Sequence, residues 1–223
     1  MDTIIVPTPD ALAIEAASMV MAEVAGAQRL LLGLAGGSTP KATHEVLCAQ
    51  RADWSGVIAW IADERWVSPD SPEANQHMVR TSLTDETGIT FLAPDTTAGV
   101  PAAAANDYGD VIVPLMTDAS TRKVVMLGIG TDGHTASLFP GTRALGVTSV
   151  GYVANFVPQL DTWRLTATAA LIGLADVVMF LVSGTSKASI IAEIASGSDH
   201  PASAITAVER VVWLLDEAAA ADL

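Results

Sequence analysis

The stretch LLLGLAGGSTPKATHEVL, residues 30–47, sets out the rule by which the rest of the chain can be read. Residues 30–34 are apolar one after another instead of alternating, which is the pattern of a parallel strand covered on both faces. Gly36 and Gly37 then allow a tight turn, Ser38 or Thr39 can cap a helix, and Pro40 suits its first turn. The same rhythm recurs along the chain. Strands are expected at 3–6, 30–34, 57–62, 124–127, 177–182 and 211–215. Helices are expected at 10–25, 40–50, 102–116 and 187–196, with a further short one at the C-terminal end. Such alternation predicts an α/β fold: one domain over residues 1–223, with an open, mostly parallel, Rossmann-like sheet and helices on both faces. Two connections, 63–75 and 128–143, are unusually long and leave the carboxyl ends of strands, where sheets of this kind bind ligands.

Composition narrows the function. The 223 residues can bury a proper core, and 25 acidic against 11 basic residues give a net charge of −14. Nucleic acid and anionic membrane are disfavoured as partners, because both require basic faces. An anionic small molecule would have to be gathered by a local cluster of the few cations. Cys48 stands alone, which removes intrachain disulfides and cysteine-based zinc sites and points to a reducing, cytoplasmic setting. The opening MDTIIVPTPD lacks the basic and apolar regions of a signal peptide. LTATAALIGLADVVMFLVSG, interrupted by Asp176 and glycines, reads as a buried strand, a short helix and a second buried strand, and not as a membrane span.

Three segments carry candidate chemistry. In LAGGSTP (34–40), Gly36, Gly37, Ser38 and Thr39 present free backbone N–H groups at a helix start, a cradle for phosphate; the same residues would also make an ordinary capped turn. In ADERWVSPDSPEAN (62–75), Asp63, Glu64 and Arg65 emerge together at a strand end. The guanidinium fork suits a phosphate or a developing oxyanion, with an adjacent carboxylate to orient it; the alternative is a solvated charge cluster. Trp66 is expected to pack beneath that loop.

The third segment, LGIGTDGHTASLFP (127–140), satisfies the glycine spacing of dinucleotide-binding loops through Gly128, Gly130 and Gly133. That reading fails. Pro140 arrives seven residues after Gly133, no acid stands about 20 residues on, and Asp132 would face the pyrophosphate. What remains is a glycine loop presenting Asp132 and His134. Imidazole suits proton transfer near neutral pH, and a carboxylate can fix its tautomer. Arg164 and Lys187 are the other basic candidates. Lys187 at a helix start opposes the helix dipole, a conflict that a bound anion relieves; an ordinary exposed lysine is the plainer alternative. His44, His77 and His200 receive no role, and no metal-ligand spacing is found.

Taken in order, LAGGSTP, DERWV with Asn75, GIGTDGHTASLFP, RLTAT and VSGTSKA resemble the 6-phosphogluconolactonase family, within a larger group that includes glucosamine-6-phosphate deaminases. Deaminases carry a Glu-Pro where this chain has Phe139 and Pro140, and tend to carry an aromatic residue at Arg65; both departures favour the lactonase. The resemblance implies cofactor-free hydrolysis of 6-phospho-D-glucono-1,5-lactone to 6-phosphogluconate, by a monomer or small homo-oligomer. It implies His134, Asp132 and Arg65 as catalytic residues. Gly36, Gly37, Ser38 and Thr39 would bind substrate, together with Glu64, Asn75, Gly133, Arg164 and Lys187. Glucosamine-6-phosphate deamination and a non-enzymatic sugar-phosphate sensor are the competing readings.

Overall fold

The computed structural model describes residues 1–50, 52–97 and 99–223. In chain order the strands are β1 (Asp2–Val6), β2 (Leu30–Leu34), β3 (Val57–Ile61), β4 (Asp63–Arg65), β5 (Thr90–Leu92), β6 (Arg122–Leu127), β7 (Tyr152–Val157), β8 (Thr162–Ala167), β9 (Val177–Val182) and β10 (Arg210–Asp216). The helices are α1 (Pro9–Gly26), α2 (Ser38–Ala49), α3 (Asn75–Val79), α4 (Asp85–Thr87), α5 (Pro101–Thr117), α6 (Ala169–Ile172) and α7 (Ala188–Ala195). A π-helical turn, Arg80–Thr84, joins α3 to α4.

Seven strands form one sheet in the order β1-β10-β9-β6-β2-β3-β5, and every neighbouring pair is parallel. All six expected strands are present in it, with ends shifted by at most two residues. Their continuous apolar runs follow from burial: every residue of β2 and β9 is buried. The four helices expected with bounds, found as α1, α2, α5 and α7, are equally close to expectation. α1 starts where the Thr8 hydroxyl accepts from Ala11 N at 3.1 Å and Pro9 fills the first turn.

Two features depart from the sequence reading. Residues 63–65, 152–157 and 162–167 build a second, antiparallel sheet, β4-β8-β7. The end of β8 falls in the stretch read as a buried strand before a short helix, but the rest is short or half-exposed with a weak apolar pattern. The expected C-terminal helix is absent. After β10 the chain makes a turn, with Ala220 N donating to Asp216 O at 3.1 Å and Ala219 N to the Asp216 carboxylate at 2.7 Å. That side-chain acceptor competes with helical pairing of the same segment.

The strand order places the site. From β2 the chain works outward through β3 to β5, then crosses back to β6 on the other side of β2 and works outward through β9 and β10. β2 and β6 therefore flank the topological switch point, and the loops leaving their carboxyl ends open a crevice between them. Those are the loops that begin at residues 35 and 128.

Candidate active site

A cleft of about 530 Å³ opens at that switch point. The turn after β2 contributes Gly36, Gly37, Ser38 and Thr39, while the loop after β6 contributes Asp132 and His134. Arg65, Asn75, Arg164 and Lys187 complete the meeting of segments far apart in the chain. Of the twelve expected site residues, Glu64 and Gly133 alone do not line it.

His134 is fixed on two sides. Its Nδ1 lies 2.5 Å from Asp132 Oδ1, and the same oxygen accepts from His134 N at 3.2 Å. Partial burial works to raise the Asp132 carboxyl, but the backbone N–H and the imidazole of His134 outweigh it and leave the pKa below the usual carboxylate range. An ionised carboxylate can only accept, so Nδ1 carries the proton and Nε2 keeps a free lone pair. The ring also stacks on Phe139, with centroids 3.9 Å apart and planes 24° from parallel. Gly130 makes this possible: a Cβ there would land on His134 Nδ1 and within 2.5 Å of Asp132 Oδ1.

The cations are arranged by the small sheet. Arg65 on β4 stands directly opposite Arg164 on β8 in the antiparallel register. Like charges in that position oppose each other unless an anion joins them. Arg65 is tethered by a bond from its guanidinium to Glu73 O. Arg164 is mostly buried, burial lowers its pKa, and its Nε has no hydrogen-bond partner among the described residues. Lys187, half-buried, is likewise lowered by desolvation, against the raising influence of Asp132. Among the described residues no carboxylate comes within 4.0 Å of any of the three; Arg80, Lys123 and Arg143 also lack one but stand off the cleft, while Arg29, Lys41, Arg122 and Arg210 are paired. In a chain with 25 acidic residues, three unpaired cations on one cleft form a site for an external anion.

A model of the family "Glucosamine-6-phosphate isomerases/6-phosphogluconolactonase" matches residues 7–213. The chain belongs to this family. A 6-phosphogluconolactonase of Nostoc sp. is 36% identical over 207 residues, covering 87% of this chain and 85% of the relative. One of Synechocystis sp. is 36% identical over 204 residues, covering 86% and 84%. The solved structure of 6-phosphogluconolactonase from Trypanosoma brucei superposes with a TM-score of 0.83 at 27% identity, over 100% of this chain and 98% of that one.

As a member of the glucosamine-6-phosphate isomerase/6-phosphogluconolactonase family, the chain holds several residues in supporting positions. Gly133 turns its back on the cleft: with φ +78 it packs against His200, whose Nδ1 lies 2.7 Å from where a Cβ would sit. His44, on α2, is fully buried and bonded to Ser82 Oγ at 3.3 Å, and burial pushes it down to about 3, so it stays neutral. Trp66 packs against the core, as expected. Phe139 as the platform for His134, and Ser183 on the cleft wall, carry no signal of these places in the sequence; Asp63, named there only as a neighbour of Arg65, also lines the wall. Asp63 accepts from Ser137 Oγ at 2.6 Å, a pairing across 74 residues that has no local signal. No helix among the described residues is long and apolar enough to cross a membrane.

Glu64 is a fully buried brace. Its carboxyl accepts from Arg65 N and Asn75 N at 2.7 Å and from Gln76 N at 2.8 Å, which ties β4 to the start of α3 and holds Asn75 at the cleft. Burial pushes its pKa up to about 7 in spite of those three donors, and neighbouring Asp63 adds to the rise. The folded protein thus holds a proton that the unfolded chain releases near 4.5. Stability from this group is full below pH 4.5 and declines as pH rises to about 7, by about 3 kcal/mol in all. Denaturant titrations across that window should show the decline in the native protein. Glu64→Gln, with no group to titrate, should flatten it; parallel curves for the two proteins would refute the assignment.

Proposed function

We propose that this chain hydrolyses 6-phospho-D-glucono-1,5-lactone to 6-phospho-D-gluconate, the second step of the oxidative pentose phosphate pathway, in the cytoplasm. The observation that carries the reading is one cleft holding an oriented imidazole together with three cations that have no acidic partner among the described residues. An ester carbonyl needs an activated water and stabilisation of the tetrahedral oxyanion, and a phosphate needs an anion site.

In this mechanism His134 Nε2 takes a proton from water as the water oxygen attacks C1. Asp132, holding Nδ1–H, stabilises the imidazolium that forms. The tetrahedral oxyanion then collapses, the bond from C1 to the ring oxygen breaks, and Nε2–H delivers its proton to that oxygen. The 36–39 turn, Lys187 and Arg164 bind the phosphate. Arg65, opposite Arg164 in register, shares the phosphate with it, the anion that joins the two like charges. Family relatives named 6-phosphogluconolactonase at 36% identity support the lactone as substrate.

The deciding measurement is 6-phosphogluconate formation from freshly generated lactone, read against the spontaneous background. No acceleration would refute the proposal, and ammonia release from glucosamine-6-phosphate would replace it with the deaminase. Lys187→Ala should raise KM about tenfold and leave kcat nearly unchanged, the loss of one charge-assisted phosphate contact. A lowered kcat at constant KM would remove Lys187 from the phosphate end.

A further inference from the structure

Lys187 reaches the cleft from a turn, and that turn is held by a residue outside the cleft. β9 and β10 run parallel with Val182 beside Leu215, so Ser183 and Asp216 leave the sheet side by side. Asp216 is 1% exposed. Its Oδ2 accepts from Ser183 Oγ at 2.6 Å, and Gly184 N lies 3.0 and 3.1 Å from its two oxygens. Oδ1 also accepts from Ala219 N at 2.7 Å. Gly184, at φ +93, then offers its carbonyl to Lys187 N at 3.0 Å and closes the one-turn helix Thr185–Lys187. Every contact of this buried carboxyl group is a donor, and two of them are the first two residues of the turn. The Lys187 side chain has no acidic partner of its own within ion-pair distance, and its place on the cleft is inherited from the turn's backbone.

We propose that Asp216 is a positioning residue for the phosphate end of the cleft, setting the 183–187 turn so that Lys187 meets the substrate phosphate. The inference rests on the phosphate role given to Lys187 above. Asp216 does not line the cleft and so acts only through the turn. An asparagine in its place keeps an acceptor for Gly184 N and Ala219 N at the Oδ1 position but puts an NH2 at the Oδ2 position, 3.1 Å from Gly184 N, where the two N–H groups repel and Ser183 Oγ must change from donor to acceptor. The turn must then move, and the ammonium with it. The imidazole on the loop after β6 is anchored separately by Asp132 and Phe139, so the chemical step keeps its geometry.

The test compares Asp216→Asn, Ser183→Ala and Lys187→Ala, measuring kcat and KM on the phosphorylated lactone and inhibition by inorganic phosphate. Asp216→Asn should raise KM and weaken phosphate inhibition together by about five- to tenfold, with kcat within about twofold. Ser183→Ala, which removes one of the bonds, leaves the carboxylate and alters the cleft wall by one hydroxyl, should shift both in the same direction by less. If Asp216→Asn fails to fold, Asp216→Glu, which keeps the carboxylate off the cleft but displaces it by one methylene, takes its place with the same expected shifts. A purely structural role would lower Tm without moving phosphate inhibition, and that result overturns the proposal. If Lys187→Ala moves KM and phosphate inhibition while the Asp216 and Ser183 variants do not, the positioning role falls and the phosphate reading stands. If none of the three moves them, the phosphate reading falls and takes the proposal with it.

Discussion

His134→Ala is expected to lower kcat for the phosphorylated lactone at least about a hundredfold while KM changes little. A positioned general base contributes about 10²–10⁴-fold, and no other imidazole lines the cleft to take over. The binding apparatus is elsewhere: the 36–39 turn and Lys187 arrive from β2 and β9, and neither bonds to His134. Loss confined to kcat is therefore the signature of an interaction made only in the transition state. Because the lactone opens spontaneously, residual turnover must be separated from the uncatalysed rate at each pH. An unaltered kcat would take His134 out of the chemistry and leave the cleft as a binding site.

Gly130→Ala should reproduce nearly the same loss through a residue with no chemistry of its own. The added methyl falls on His134 Nδ1 and on Asp132 Oδ1, so the imidazole and carboxylate must separate. Both side chains are partly exposed, at 29% and 45%, and can swing outward cheaply. The expected result is a kcat lowered about a hundredfold with Tm within about 4 °C of the native protein, since ~1 kcal/mol moves Tm about 2–4 °C at this size. Equal activity in the two proteins would mean that the bond from Asp132 to Nδ1 is dispensable. A large drop in Tm would mean that the loop, and not the dyad, is what the glycine protects.

How much of this is legible in the sequence depends on whether a feature is local. Strands β2 and β9 are readable because a strand buried on both faces must be apolar at every position. The turn at 36–39 and the loop holding His134 are readable because glycines and small hydroxyls mark the carboxyl ends of such strands. β4 is three residues long, and β7 and β8 are partly exposed, so the sheet that sets Arg65 opposite Arg164 leaves only a faint pattern. The aligned roles of Arg65 and Arg164 are consequently visible only in the register. Glu64 shows the opposite error: a charged residue beside a cleft residue looks like a ligand, yet its three backbone donors hold it inside the protein. Gly133 belongs to the glycine loop by sequence, but its missing side chain makes room for His200 behind it. Asp216 carries no motif, because its partners Ser183 and Gly184 lie more than 30 residues away and meet it only through strand pairing.

The order of the large sheet also bears on how the protein comes into being. β1, the first strand of these 223 residues, pairs among the described residues with β10 alone, the last of them, which lies between it and β9. During vectorial synthesis β1 must wait, its hydrogen-bonding edge open to water or to chaperones, until β10 has left the ribosome. The same late insertion delivers Asp216 to the 183–187 turn. Nascent chains halted before β10 should therefore be both prone to stray strand pairing and poor at holding a phosphate, so that folding completion and substrate affinity arrive in one event.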